Sequence, residues 1–276
     1  MPRLFSGVTA RPDAWTDPAL GATLGLGWPT RSIVGQTTRR ALRSRGPMIE
    51  PRQRWRVFFQ RGPEARDLAH SQVVERWEAA LAGSALPVAA GAGQRGRVRL
   101  AFAAPVPLGM TAEREILEFL LEQPLPITEV RAALRAHLPS GHGLLDLHDV
   151  WLGAPSVASL LVAMDYRVQV HSEVGAAQRT ELSQLATGVS RILAAPRLDR
   201  PHLKGGGPTT RDLRPLIESL TVADSPPALL AMRLRTDPSI GFARPEDVLL
   251  ALSDEIGREI VAESIVRERL ILADEV

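Results

Sequence analysis

Among residues able to do chemistry, this chain of 276 carries six histidines, one lysine (Lys204) and no cysteine. Without thiolates it forms no disulfide, ligates no zinc through cysteine and holds no cysteine-bound iron–sulfur cluster. His70 is the best candidate for acid–base work, early in a helical segment and near Glu64 and Asp67. A general base needs a positioned partner and a substrate within hydrogen-bond reach. The competing reading is a histidine that caps or packs at a helix start. His142 and His148, with Asp146 and Asp149, are metal-ligand types close in sequence. On a strand, Asp146 and His148 share a face and Asp149 points away. Two ligands are too few to hold an ion, so these residues read as a solvated strand face. Neither a metal nor a cofactor is expected. Ser156 and Ser159 have no histidine or acid at the spacing a nucleophile needs. Trp77 and Trp151 are expected in the core.

Binding chemistry is concentrated in KGGGPTTRDLR, residues 204–214. Successive glycines at Gly205, Gly206 and Gly207 can turn backbone N–H groups toward an anion, and Lys204, Arg211 and Arg214 can neutralise phosphate. The run is not a P-loop, because no Gly-Lys-Ser/Thr follows at the required spacing. A plain hairpin loop is the alternative. Arg97 and Arg99, within the loop at 91–99, are further candidate cations. Charge is uneven. Residues 1–56 hold ten arginines against Asp13, Asp17 and Glu50, a net of +7, so a chain of net +2 leaves −5 for residues 57–276. That acidic balance counts against strong nonspecific binding of nucleic acid by the globular part.

The elements that must position these residues are legible as changes of period. Residues 1–52 show no sustained period and are rich in Gly, Pro, Thr and Arg, a composition that buries too little apolar surface to fold. They read as a disordered basic tail, a phosphate-touching arm, or a stretch upstream of a true start at Met48. From Arg54, RWRVFFQ alternates as a strand. EARDLAHSQVVERWEAALAGS follows as a helix with Leu68, Val73, Val74, Trp77 and Leu81 on one side and Gly83 at its end. ALPVAA and RVRLAFAAPVP read as strands around GAGQRG, and ILEFLLE as another. Pro126 opens a helix through Leu138, and LLDLHDVWLG closes the unit. The same order then repeats: MDYRVQVHS as a strand, 177–193 as a helix, APRLDRP and TTRDLRPLIESLTVA as strands around the glycines, ALLAMRLRT as a strand. A helix opened by Pro245 and the strand ESIVRERLIL complete it. This predicts an α+β chain of two tandem ferredoxin-like (βαββαβ) halves with antiparallel sheets. The halves span 53–153 and 164–276, with a connector at 154–163. Apolar runs are broken by charge well before about 18 residues, so no membrane span is expected. No leader pattern opens the chain, and the absence of cysteine fits a reducing cytoplasm.

EARDLAHSQVVERWEAALAGSALPVA, TTRDLRPLIESL and GFARPEDVLLAL, in that order, resemble the radical SAM-linked family. That family is a domain of unknown function fused to, or encoded beside, cobalamin-binding radical SAM proteins. In the family a basic, glycine-containing stretch precedes an Asp-Leu-Arg-Pro-Leu-Ile run, as HLKGGGPTT does here. The resemblance spans about Arg54 to Leu272. Two stretches depart from it. The family's Gly-Phe-Asn-Pro-His-Pro-Arg is replaced by GAGQRGRVRLAF, which leaves Arg97 and Arg99. Its His-Leu-Asp in the first helix is His70-Ser71-Gln72 here.

The resemblance implies a radical SAM enzyme as partner. Three functions follow. The first, which we favour from the sequence, is a noncatalytic accessory protein that binds RNA or another phosphate-bearing substrate for that enzyme. The second is a metal-independent endoribonuclease with His70 as base, by analogy with CRISPR repeat-processing enzymes of similar plan. The third is an adaptor that contacts protein alone.

Overall fold

The computed structural model describes residues 51–91, 97–171, 176–204, 207–223 and 227–275. The basic tail lies outside the described residues as far as residue 50. β1 (Gln53–Arg61) is buried at every position but Gln60, as a central strand covered on both faces must be. After a 3-10 turn at Pro63–Ala65, α1 (His70–Gly83) buries Val73, Trp77 and Leu81, one face at helical spacing. The helix therefore starts at His70, later than its apolar period suggests, because Pro63 and the turn occupy the approach.

β2 (Leu100–Phe102) is only three residues long, not the 97–107 strand expected. Pro105 and Pro107 lack the N–H that a ladder needs, and the chain leaves the sheet at Ala103. It returns as β3 (Thr111–Leu121). α2 (Ile127–His137) begins behind Pro126, and β4 (His142–Val150) ends the first run. The expected connector holds a short helix, α3 (Val157–Leu160), and β5 (Leu161–Val170) begins inside it.

α4 (Ala176–Ala194) leads to a hairpin of β6 (Asp199–Lys204) and β7 (Gly207–Asp212). The expected strand TTRDLRPLIESLTVA is thus two strands. A 3-10 turn at Arg214–Leu216, built around Pro215, separates β7 from β8 (Ile217–Ala223). β9 (Leu229–Asp237), β10 (Gly241–Phe242), α5 (Pro245–Ile256) and β11 (Ala262–Leu272) complete the chain. Gly257, at φ +76°, ends α5 in the left-handed conformation that glycine adopts without strain.

Among the described residues the result is a mixed α/β fold with five helices and a mostly antiparallel sheet. Nine strands form one sheet, in the order β10-β9-β5-β11-β3-β1-β4, with β2 on β3 and β8 on β9; β6 and β7 stand apart. The sequence led us to expect two sheets. They are joined because β11 pairs in parallel with the start of β3, Val266 to Thr111 and Arg267 to Ala112. The other end of β3, Leu117–Phe119, pairs with β2. Residues 53–150 follow the strand order β4-β1-β3-β2, and residues 161–272 follow β11-β5-β9-β8.

Two cores lie on this sheet. Trp55, Val57 and Phe59 of β1 pack with Trp77 of α1 and Val130 and Leu134 of α2. Tyr166 and Val168 of β5 pack with Leu185 and Val189 of α4 and Val248 and Leu252 of α5. Each such burial is worth roughly 1.5–3 kcal/mol per large apolar side chain. Ala103, Ala104 and Met110 join the second core, so the run between β2 and β3 belongs by packing to the later half of the chain. Trp77 is fully buried as expected, but Trp151 is 77% exposed, just past the end of an edge strand.

Candidate functional site

Where β2 stops short and residues 103–110 peel away from the sheet, a cleft of about 780 Å³ opens. One side is the peeled-away run itself. The other is formed by α3, the start of β5, the β9–β10 turn and the first residues of α5. An irregular segment at this depth must find partners for its backbone groups, and two buried arginines provide them. Arg61, 1% exposed, ends β1 and donates to the carbonyl of Pro107 at 2.7 Å. It also donates to the carbonyls of Ala65, Arg66 and Leu68 at 2.7–2.9 Å. Arg267, 2% exposed on β11, donates to the carbonyl of Pro105 at 3.0 Å. Its other edge forms a bidentate pair with Glu115 of β3 at 2.5 and 2.6 Å, and Glu115 is fully buried. A fork with five donors suits both jobs at once, which a lysine would not.

The turn that presents Arg61's carbonyl partners is held by a glycine. Gly141 sits at φ +74°, and a Cβ there would meet the backbone nitrogen of Ala65 at 2.8 Å. The close approach lets Gly62 donate to the Gly141 carbonyl at 2.8 Å.

His70, at the first turn of α1, provides the third tie. The backbone N–H of Val106 donates to its Nδ1 at 3.3 Å. With Nδ1 accepting, the neutral ring carries its proton on Nε2. Burial first, and then the charge of Arg267, pushes the His70 pKa below the ordinary histidine value, with Glu115 pulling the other way. At neutral pH the ring is therefore an uncharged donor at Nε2. Its edge meets the Phe102 ring at a centroid distance of 5.2 Å. His70 also borders a second hollow of about 460 Å³ that reaches Arg99 and Glu78.

The remaining candidates from the sequence are scattered. Glu64 pairs with the Ser140 hydroxyl at 3.3 Å and Asp67 with Arg66 at 3.2 Å, so neither carboxylate orients His70. Arg211 donates to the Phe242 carbonyl at 2.8 Å and to Asp247 at 2.9 Å. Arg214 clasps the Leu193 carbonyl at 2.8 and 3.1 Å and the Ile217 carbonyl at 2.9 Å. Both arginines thus tie the hairpin to the rest of the fold. Lys204 and Gly207 close the ladder of that hairpin, and Gly205 and Gly206 lie outside the described residues. Arg97 is exposed and pairs with Glu78 at 3.0 Å, while Arg99 stands exposed between two hollows.

His148 bonds Asp146 at 2.9 Å, and Asp149 bonds Gln53 at 2.8 Å. His142 turns to Trp77 and Phe59, its pKa lowered chiefly by burial. These four residues do not converge, and among the described residues no three His, Asp or Glu side chains gather to hold a metal.

Sequence reasoning missed Arg61, Arg267 and the 103–110 wall. Part of the signal was present in the two prolines inside a supposed strand; Arg61 and Arg267 share their strands with other charged residues, so nothing in the sequence sets them apart.

A profile of proteins described as uncharacterized and conserved in bacteria (DUF2344) matches residues 54–245. The chain belongs to this family. The match takes in Arg61, His70, Glu115 and the 103–110 wall, and ends at the first residue of α5. No curated protein matches this family member. Among solved structures, it is similar to a chain of a Cbf5-Nop10-Gar1 complex, with 9% identity over 78% of this chain and 48% of that one, at a TM-score of 0.44. It is also similar to a chain of an H/ACA RNP bound to a substrate RNA containing 2'-deoxyuridine. There the identity is 11% over 78% of this chain and 47% of that one, at a TM-score of 0.42. The chain spans about half the length of these structures.

Proposed function

We propose that this protein is a noncatalytic accessory protein that binds the substrate of a partner enzyme in the cleft behind residues 103–110. The partner we propose is the radical SAM enzyme implied by the resemblance in sequence. We read the frame as two ferredoxin-like halves, 53–153 and 164–276, joined through 154–163. Their shared strand order, β4-β1-β3-β2 and β11-β5-β9-β8, supports that reading.

The observation that carries the proposal is a preformed cleft of about 780 Å³ whose wall is pinned by three buried or half-buried groups, Arg61, Arg267 and His70. Small-molecule sites are largely preformed, apolar and oriented by a few polar points. The ribonuclease reading needs His70 to take up a proton. Its Nδ1 lone pair already accepts from Val106, and its pKa is lowered. That favours a donor and positioning role over a base.

The RNA reading placed phosphate on Lys204, Arg211 and Arg214, and two of these three are engaged inside the protein. Sheet-surface RNA binders stack bases on exposed aromatics. Here β5, β9 and β11 instead carry ion pairs such as Arg233–Asp165 and Arg269–Asp165. No helix among the described residues is long and apolar enough to cross a membrane. A cytoplasmic setting suits a cysteine-free partner of a reductively activated enzyme.

The test is recovery of the full chain, tagged at its native locus, with its bound proteins and RNA identified before and after nuclease treatment. A radical SAM enzyme enriched in near-equal amount and resistant to nuclease is expected. Failure to enrich any radical SAM enzyme sinks the proposal. Enrichment lost on nuclease treatment replaces it with an RNA-bridged association.

A further inference from the structure

We infer that the ligand of the cleft is an uncharged, planar, mostly apolar molecule carrying a hydrogen-bond acceptor, an inference that rests on the cleft being the binding site. Its volume of about 780 Å³ lies within the 300–1,000 Å³ typical of small-molecule pockets. A polymer would need a continuous open groove instead. Four proline rings, Pro105, Pro107, Pro238 and Pro245, line it, together with Phe242 and Leu108. Those last two are 41% and 63% exposed. One exposed large apolar residue is ordinary; two beside the same proline-lined opening form a surface that pays no desolvation cost against a flat hydrophobic ring. The face of the Phe242 ring favours planar partners, since stacked or edge contacts add to the area buried against the apolar proline rings.

The polar points fix the charge of the ligand. Arg267 is neutralised by Glu115. The Asp237 carboxylate is held by the N–H and hydroxyl of Ser239 and the N–H of Ile240. Arg244 and Glu246, two residues apart and of opposite sign, complete the charged lining. Outside the buried pair the lining thus sets one arginine, Arg244, against two carboxylates, Asp237 and Glu246, whereas sites for phosphate or carboxylate gather several cations. His70, neutral with its proton on Nε2, adds no positive charge to the lining and has a donor left for an acceptor such as a carbonyl or ring nitrogen.

Two fluorescent probes of similar shape separate the possibilities in the full chain: N-phenyl-1-naphthylamine, which is uncharged, and 1-anilinonaphthalene-8-sulfonate, which is anionic. Ala158 is exposed and lines the cleft, so Ala158→Trp fills the space without entering the core. The expected result is saturable 1:1 binding of the neutral probe, tighter than the anionic one. Ala158→Trp should weaken it at least about tenfold, and Phe242→Ala about threefold through lost ring contact. Phe242→Ala removes an exposed side chain, so it reads the site even where the tryptophan variant does not fold. Tighter binding of the anionic probe, still sensitive to these substitutions, overturns the ligand class and keeps the site. Binding of neither probe, or binding that ignores both substitutions, overturns site and ligand class together. The partner-capture experiment then stands or falls separately.

Discussion

Arginine does opposite work in two regions of this molecule. Behind the cleft, Arg61 and Arg267 are almost wholly buried, and every strong contact they make is to a carbonyl or to Glu115. Across the strands of the later half, Arg233, Arg235 and Arg269 have side chains 32%, 60% and 53% exposed, and they pair with Asp165 and Glu218. The chemistry of the pairs is the same and the solvent differs. A buried pair is costly to break because the surviving charge is stranded in low dielectric. A wet pair gives up little, because water replaces the lost partner. The first region therefore fixes a wall, and the second leaves a sheet surface charged and hydrated.

The sharpest way to break this comparison is Arg267→Ala. It strands Glu115 at 0% exposure and should cost about 3–5 kcal/mol in urea unfolding. The paired change Arg267→Met with Glu115→Leu should recover part of that loss, because no unpaired carboxylate remains, while the Pro105 carbonyl still lacks its donor. A single substitution costing less than about 1 kcal/mol would show that water reaches the pair, and would end the contrast with surface pairs.

Arg61→Ala comes next. It removes the donor of the Leu68 and Pro107 carbonyls and one of the donors of Ala65 and Arg66, whose carbonyls still accept from the N–H groups of Leu68 and Gly109, at about 3 kcal/mol in all. Because Pro107 lines the cleft, neutral-probe binding should weaken in the same variant. Stability lost with probe binding intact would mean that the wall is held by packing alone.

A pH series tests the half-buried third tie. Burial lowers the pKa of both His70 and His142 in the fold, while the unfolded chain protonates near the ordinary value of about 6.5. The unfolded state then binds more protons in the window below that value. Stability from these residues is present above about 6.5 and is lost as pH falls toward the lowered folded values. His70→Gln should flatten part of the slope of melting temperature against pH between 7 and 5. An unchanged slope would assign the whole effect to His142 and other groups.

The smallest effect is expected at the wet surface. Arg235→Ala, whose partner Glu218 lies 3.6 Å away, should change stability by less than about 1 kcal/mol, and less still in high salt. A larger loss would show that the exposed pairs act as a coupled network.

Much of the frame was legible from local rules. α5 begins at Pro245 and runs through Ile256 as its proline start and apolar period require. β1 stands out because RWRVFFQ crowds large apolar residues between arginines. Strands were expected on either side of the glycine run, and β6 and β7 are there, with Lys204 pairing Gly207. What misled was chemistry assigned from side-chain type alone. Arg211 and Arg214 looked available for phosphate, but their partners, Asp247 and the Leu193 carbonyl, lie 36 and 21 residues away. Trp151 looked like core material, yet it follows an edge strand, with Leu152 also 44% exposed.

Sequence by itself determined the order of α1, α2, α4 and α5 and of the long strands between them, because apolar period, proline and glycine act within a turn or two of chain. It also ruled out thiolate chemistry outright, since no cysteine is present. Only the tertiary structure decided that two runs of strands share one sheet, through two residue pairs between β11 and β3. Only it decided which arginines are walled in and which are wet. Those outcomes depend on how segments far apart in the chain pack together, as Arg267 does with Glu115, 152 positions away, and no local pattern carries the burial that sets their strength.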